Sequence, residues 1–177
     1  MFDLYKARLY FKNLRDVLSK RKVVAHGAMN LANAYSIGFI FNVDNAGEIS
    51  AVAQFAGRLR GEGKVVEMLG FCKNAKLVSK FDFPVFDKST INAHFFPSDD
   101  DVEKFINKKF DILINACLDE ILPLDYVAAL SHSTCRVGVY NKKHEHSYEL
   151  MITSYDTTTT VQFLEQIEHF LNKIKLV

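Results

Sequence analysis

Short apolar segments alternate with segments of helical periodicity from Ser36 onward, and this alternation most constrains what the chain can fold into. Five runs rich in Ile, Val, Leu and Phe predict buried strands, at residues 36–44, 64–72, 110–117, 135–141 and 148–154. Helical spacing is found in the intervening residues 46–60, 102–110 and 122–132. Strands that are apolar throughout and separated by helices predict a parallel sheet covered on both faces.

We therefore predict an α/β fold, a single three-layer Rossmann-like domain over residues 1–177 with about five mostly parallel strands. Its α/β core would span residues 36–177, and Phe83 to Phe86 would pair briefly at a sheet edge. The link KKHEHS at 142–147 is too short for a crossover helix. We therefore expect the last two strands to pair antiparallel as an edge hairpin.

Both ends of the chain are predicted to be helical. In residues 1–22, Leu4, Ala7, Phe11, Leu14 and Leu18 form one apolar stripe, and the flanking charges are mostly basic. The stripe is suited to packing on the sheet or on a second copy, as a homodimer through the terminal helices, and less to an anionic membrane surface. The final segment begins with a capping box, in which Thr159 precedes Gln162 by three residues.

Composition excludes several classes of function. The net charge of +1 argues against a dedicated nucleic-acid binder, which usually has a strong basic excess. The three cysteines, Cys72, Cys117 and Cys135, lie in apolar runs without a C-x-x-C motif, so we expect buried reduced thiols. No stretch approaches the ~20 apolar residues of a membrane span, and the N-terminus lacks a signal-peptide h-region. A cytoplasmic protein is predicted.

The turn after the first strand, V-D-N-A-G-E-I, lies where α/β proteins often hold a phosphate. It contains a single glycine and no lysine, whereas phosphate turns use several glycines or a lysine. Asp44 and Glu48 add negative charge there. Asn45 with Glu48 three residues later is close to a capping box, so this turn is predicted mainly to start a helix.

A ligand site is nevertheless expected at this edge of the sheet if the strand at 36–44 lies beside the strand at 110–117. The candidate ligand-binding residues are Asp44, Asn45, Gly47, Glu48, Asp119 and Glu120, with Cys117 beside them. The carboxylates are also suited to Mg²⁺. His144-Glu145-His146 is suited to weak Zn²⁺ binding but is expected to be a solvated turn. We assign no catalytic residue, no metal and no cofactor.

Two resemblances follow from these segments. The run from NLANAYSIGFIFN through DKSTINAHFFP, FDILINA and VAALSHSTCRVGVY to YELMI resembles an uncharacterised family of small bacterial proteins, a domain of unknown function. Separately, residues 110–140 are similar in rhythm to the amino-terminal half of heptosyltransferase-type glycosyltransferases, including an Arg-x-Gly strand at Arg136-Val137-Gly138. The second Rossmann-like domain of those enzymes, which would bind the sugar nucleotide, is not expected here.

Two functions are consistent with the sequence. The first is a non-catalytic binding or protein-interaction module on a Rossmann-like scaffold. The alternative is an enzyme or sensor that binds a small anionic, nucleotide or Mg-bound ligand at the carboxyl ends of the central strands. The absence of any complete catalytic or phosphate-binding motif favours the first.

Overall fold

A computed structural model of the protein describes residues 2–20, 25–73 and 80–175, with the backbone alone for residues 2–6. The described residues form five α-helices, namely α1 Phe2–Lys20, α2 Ala46–Gly61, α3 Asp100–Asn107, α4 Leu122–Leu130 and α5 Thr160–Lys173. They also form six strands, namely β1 Ser36–Asn42, β2 Val65–Cys72, β3 Val85–Asp87, β4 Ile112–Asn115, β5 Cys135–Val139 and β6 Leu150–Ile152. Positions 1, 21, 22, 176 and 177 of the predicted terminal helices, and the side chain of Leu4, lie outside the described residues.

The six strands form one sheet in the order β3-β2-β1-β4-β5-β6, and each neighbouring pair is parallel. β1 is central, with Ile37 opposite Ile112 of β4 and Val66 of β2. The predicted α/β Rossmann-like fold and the predicted adjacency of the first strand and the strand at 110–117 are confirmed. The carboxyl ends of all six strands therefore lie along the same edge of the sheet.

The predicted antiparallel hairpin at the end of the sheet is wrong, because β5 and β6 pair in parallel, with Val137 opposite Leu150. The two strands are so short that the chain has to return only about three residues, or ~10 Å, along the sheet. Residues 140–149 make this return through a 3₁₀ turn at Lys142–His144 instead of an α-helix. The ring of Tyr148 then lies over Gly138, where a side chain would leave no room for it.

Helices cover both faces of the sheet, as the uninterrupted burial of β1 requires. α2 and α5 pack on one face, where Phe39, Val52, Phe55 and Phe163 belong to one buried cluster. α3 and α4 pack on the other face, where the buried aromatic residues include Phe71, Phe86, Phe105 and Phe110. A core built largely on phenylalanine fills the space between the layers without a single tryptophan.

The N-terminal helix packs on its own chain. Tyr10 and Leu14 are completely buried, in a cluster with Phe96 and with Ala129 of α4. Phe11 and Leu18 of the predicted stripe are partly buried against the same cluster. The described part of the stripe thus packs at least partly within one molecule, and the predicted homodimer through the terminal helices stays a prediction.

Two predictions made from composition are tested by the described residues. Cys72, Cys117 and Cys135 are buried, reduced cysteines, as predicted. Within the described ranges, no helix has both the length and the apolar character needed to cross a bilayer.

We predict that Gly138→Ala destabilises the protein by about 1–3 kcal/mol, the usual range for overpacking a filled core. The added Cβ would lie 2.6 Å from Cε1 of the Tyr148 ring, which is itself buried and has to shift. Gly57→Ala is the matched control, because a Cβ there meets nothing within 4 Å and Gly57 lies inside α2.

The control is expected to stabilise by about 1 kcal/mol through helix propensity. Urea denaturation of both variants measures these changes, and a Gly138→Ala protein as stable as the wild type would contradict the packing of Tyr148 on β5.

Candidate functional site

Asn45 begins α2 as its N-cap residue. Its side-chain Oδ1 accepts hydrogen bonds from the backbone N–H groups of Gly47, at 2.9 Å, and Glu48, at 3.3 Å. These are donors that a bound phosphate would otherwise use. The prediction that this turn mainly starts a helix is therefore confirmed for Asn45.

The side chain of Glu48 does not complete the predicted capping box. It turns inward, where Oε2 accepts a hydrogen bond of 3.0 Å from the backbone N–H of Asn42 and Oε1 lies 3.9 Å from Sγ of Cys117. Glu48 is only 2% exposed. Burial raises the pKa of this carboxyl to about 7, with the N–H of Asn42 lowering it and the charge of Asp119 raising it further. Glu48 thus joins the ends of β1 and β4 from the first turn of α2.

Asp44 and Gly47 are exposed at the same edge. Oδ2 of Asp44 accepts a hydrogen bond of 2.8 Å from the backbone N–H of Lys73, which follows β2. Asp119 and Glu120 follow β4 and are exposed as well. The structure therefore places all six predicted site residues at the carboxyl edge. The first four surround the end of β1, and the last two lie beside the end of β4.

A groove of about 680 Å³ runs along this edge, and we call it the edge groove. It is lined by Phe71, Lys73, Lys88, Ile91, Asn92, Phe95, Asp119, Glu120, Ile121, Leu122 and Pro123. These residues follow β2, β3 and β4 or begin α4. The groove thus lies beyond the strand ends around the place where the strand order reverses, between β1 and β4. Of the predicted residues, only Asp119 and Glu120 line it.

The backbone is strained on one side of the edge groove. Phe95 has a φ of 65°, in the left-handed region that non-glycine residues seldom occupy. The turn is held by Asn92, whose Oδ1 accepts hydrogen bonds from the backbone N–H groups of His94, at 2.9 Å, and Phe96, at 3.1 Å. This conformation leaves the half-buried Phe95 among the residues that line the groove.

A smaller cavity of about 90 Å³ adjoins the edge groove and shares Asp119, Glu120 and Ile121 with it. We call it the polar cavity. Its other lining residues are Asn115, Cys117, Leu118, Asp125, Val139, Tyr140, Asn141, His144 and Tyr148. On its floor, the side-chain amide of Asn115 donates a hydrogen bond of 2.8 Å to the hydroxyl of Tyr148.

Asp125 of α4 is a buried carboxylate beside the polar cavity, with 3% of its surface exposed. The hydroxyl of Tyr10 on α1 donates a hydrogen bond of 2.7 Å to its Oδ2. Its Oδ1 lies 2.6 Å from Nδ1 of His144, and Nε2 of His144 is 2.9 Å from Oε1 of Glu120. Nε2 of His146 lies 3.8 Å from Oδ2. The imidazole of His144 is therefore held between two carboxylates.

Charge explains how these groups are buried together. Burial alone would raise the pKa of Asp125, but the contacts with His144 and then His146 hold it below its usual range. Burial alone would lower the pKa of His144, but Asp125 and then Glu120 raise it. Burial, followed by the charge of Asp125, raises the pKa of the Tyr10 hydroxyl well above its ordinary value. Asp125 is thus ionised and His144 is biased toward its cationic form.

The contacts around Asp125 are not complete hydrogen bonds. Within the described part of the chain, Oδ1 of Asp125 and three neighbouring buried atoms have no hydrogen bond of good geometry, namely His144 Nδ1, His146 Nε2 and Ser147 Oγ. The 2.6 Å approach of His144 to Asp125 is therefore an ion pair whose angle falls short of a hydrogen bond. Buried polar groups left in this state cost free energy, and in native proteins they are uncommon.

The sequence interpretation of residues 144–146 as a solvated turn is wrong for His144, which is 5% exposed. No local signal marks its role, because its partners Glu120 and Asp125 come from the segment after β4 and from α4. The possible Zn²⁺ site at these histidines is not supported. Among the residues that the structure describes, no group of three or more His, Cys, Asp or Glu side chains is placed to hold a metal ion.

The family of the chain is identified by its match to a protein-family model. A family model described as a family of unknown function, DUF6913, matches residues 6–174. The resemblance to an uncharacterised family noted from the sequence is thereby confirmed. No curated protein matches the chain.

Two solved structures are similar to the chain. The glycosyl transferase family 9 protein from Veillonella parvula DSM 2008 has a TM-score of 0.49 and 18% identity, over 79% of this chain and 42% of its own. The E. coli heptosyltransferase WaaC, solved with ADP, has a TM-score of 0.44 and 14% identity, over 77% of this chain and 46% of its own. The chain thus spans less than half of the length of either protein, and neither likeness bears on function.

We predict that the stability of the protein falls as the pH rises from 4.5 to about 7, because the folded protein holds a proton on Glu48 that the unfolded chain has released. The contribution of this raised pKa to the free energy of unfolding is fully present below pH 4.5 and is lost as the pH rises through about 7. Glu48→Gln removes this dependence, and above neutral pH it should be more stable than the wild type by up to about 3 kcal/mol.

Denaturation across the pH range measures the effect, with Glu103→Gln on the exposed surface of α3 as the control. A Glu48→Gln protein whose stability followed the wild-type pH curve in parallel would contradict the buried, neutral state of this carboxyl.

Proposed function

The chain belongs to DUF6913, a family of unknown function, and we propose that it binds a small anionic ligand in the edge groove. Of the two functions that the sequence leaves open, the groove supports the alternative, a ligand site at the carboxyl ends of the central strands. The observation that carries the proposal is a ligand-sized depression that combines cationic, polar and aromatic side chains at the place where the strand order reverses.

The size and position of the edge groove support the proposal. Its volume of about 680 Å³ is within the range of small-molecule sites. Open α/β sheets bind ligands beyond the carboxyl ends of their strands, at such reversals of strand order. The lining residues come from three strand ends and from α4, so a ligand would bridge segments that are distant in the chain.

The charges in the edge groove support an anionic group on the ligand. Lys73 and Lys88 are exposed and line the groove from the ends of β2 and β3. The first turn of α4 lies at the opposite side, where Leu122 and Pro123 line the groove. Ile121, its N-cap residue, provides no side-chain cap. Pro123 has no N–H, and the N–H groups of Leu124 and Asp125 bond to the carbonyl of Ile121, so this helix end offers an anion mainly its dipole.

The remaining groups indicate the rest of the ligand. The half-buried ring of Phe95 offers an apolar surface for a planar group, and the carboxylates of Asp119 and Glu120 accept hydrogen bonds from hydroxyls. A nucleotide combines an anionic, a planar and a hydroxyl-bearing part, so we take nucleotides as the first ligand class to test. We also propose a reducing, cytoplasmic setting, since Cys72, Cys117 and Cys135 are reduced cysteines.

We predict that ADP, AMP or pyrophosphate raises the melting temperature of the protein by an amount that grows with ligand concentration through the millimolar range. The double variant Lys73→Gln/Lys88→Gln should weaken binding by about tenfold or more for each lysine that contacts the anion. Thermal-shift titration followed by calorimetry measures both effects.

The matched control is Lys173→Gln, which removes an exposed lysine at the end of α5, on the other face of the sheet. Its affinity should equal that of the wild type. If none of the three probes stabilises the protein, or if the double variant binds them as well as the wild type does, the proposal is wrong for these ligands.

A further inference from the structure

We propose that His144 is a proton-transfer residue for a ligand oxygen in the polar cavity, and that Asp125 is the residue that positions it. This inference rests on the proposed function, because the polar cavity adjoins the edge groove and shares Asp119 and Glu120 with it. The ligand class it requires is a molecule with an ester, phosphate or hydroxyl oxygen that reaches past Glu120 to the imidazole.

The orientation of the imidazole is the first support. Nδ1 of His144 is 2.6 Å from the buried carboxylate of Asp125, and the opposite ring nitrogen, Nε2, reaches Glu120 at the wall of the polar cavity. The ring also contacts Phe11 of α1 edge-on, with centroids 5.1 Å apart. A carboxylate on one nitrogen fixes the ring and leaves the other nitrogen to exchange a proton with a ligand.

The position of Glu120 is the second support. Its side chain is 43% exposed, and it lines both the polar cavity and the edge groove. A ligand oxygen that binds Nε2 would displace the carboxylate of Glu120 into the solvent, where water hydrates it. The polar cavity, at about 90 Å³, has room for a small polar group or a few water molecules.

The incomplete bonding around Asp125 is the third support. Asp125 Oδ1 and His144 Nδ1 are buried without a hydrogen bond of good geometry, and both residues line the polar cavity. A histidine that only holds the fold together is expected to satisfy its buried partners. Hydrogen bonds in catalytic sites are often poorly aligned without ligand and tighten when it binds, so this geometry is compatible with proton transfer by His144.

The charges around His144 determine which way the proton moves first. The groups that face it are Asp125, Glu120 and His146, with Tyr10 behind Asp125 and the exposed Lys142 and Lys143 preceding it in the chain. The two carboxylates raise the pKa of the imidazole and so favour its cationic form. His144 acts first as a proton donor.

The step balances without any further reactant. The Nε2–H bond breaks and its proton forms an O–H bond on the ligand oxygen, while the electron pair of the N–H bond stays on the ring. The neutral imidazole keeps the Nδ1 proton toward Asp125, which remains ionised. Nε2 then takes a proton from hydronium in the solvent, which becomes water, and Glu120 returns to it.

The test measures whether a reagent can reach Nε2 of His144. It also measures whether the carboxylates of Asp125 and Glu120 raise the pH at which the imidazole loses its proton. Diethyl pyrocarbonate acylates neutral imidazole nitrogens, so the acylation rate of each histidine, followed by peptide mass spectrometry against pH, reports both access and protonation. The intact chain is used, with the exposed His169 of α5 as an internal control for the reagent.

We predict that His144 is acylated in the folded protein and that its rate rises with pH through a single midpoint. Glu120→Gln should lower this midpoint by about one pH unit and raise the rate below the midpoint by about tenfold, since it removes one of the two carboxylates. Asp125→Asn should lower the midpoint further. Asp119→Asn is the matched control, because Asp119 lines the same cavity without contacting His144, and it should leave the midpoint nearly unchanged.

Three results would overturn the inference. The first is that His144 is not acylated in the folded wild type or in Glu120→Gln. The second is that Asp125→Asn leaves the pH midpoint of acylation unchanged. The third is that Asp119→Asn shifts this midpoint as much as Glu120→Gln does. Glu120 is half exposed, so its variant keeps the test valid even if Asp125→Asn does not fold. These results are independent of the thermal-shift titration, so a failure of anion binding in the edge groove is distinguished from a failure of proton transfer at His144.

Discussion

The parallel pairing of β1 with β2 on one side and with β4 on the other is the constraint on which the rest of the structure depends. It points every strand end toward one edge, and the helices that bury both faces of the sheet leave that edge to the polar loops. Asp44, Glu48 and Lys73 meet at the end of β1 and β2 for this reason, and Asp119 lies across from them after β4.

The second constraint is the burial of Asp125, which joins the N-terminal helix to α4 and to the turn after β5. A buried carboxylate requires partners, and they come from two distant segments, Tyr10 on α1 and His144 after β5. Because Glu120 then pairs with the same imidazole, the loop that separates the polar cavity from the edge groove depends on this buried charge. Packing of α1 and the geometry of the candidate site are therefore linked through one side chain.

The sequence predicts best where the physical cause is local or periodic. Apolar runs separated by helical periodicity predicted the parallel sheet, and the spacing of Asn45 before its helix predicted the cap. The sequence predicts poorly where the outcome depends on residues that are distant in the chain. The fold of residues 140–149 depends on Tyr148 resting on Gly138, and the burial of His144 depends on Asp125, so neither is visible in the composition of the turn.

The amino-acid sequence by itself determined the strands, the helices, their caps and the edge of the sheet where polar residues gather, because these follow from hydrophobic periodicity and short-range hydrogen bonding. Only the tertiary structure decided which polar residues are buried. Glu48, which was predicted to cap a helix, is an interior carboxyl, and His144, which was predicted to lie in a solvated turn, is the buried partner of Asp125. The free energy of burying a charge is determined by the groups that surround it in space, and those groups come from segments that no local pattern connects.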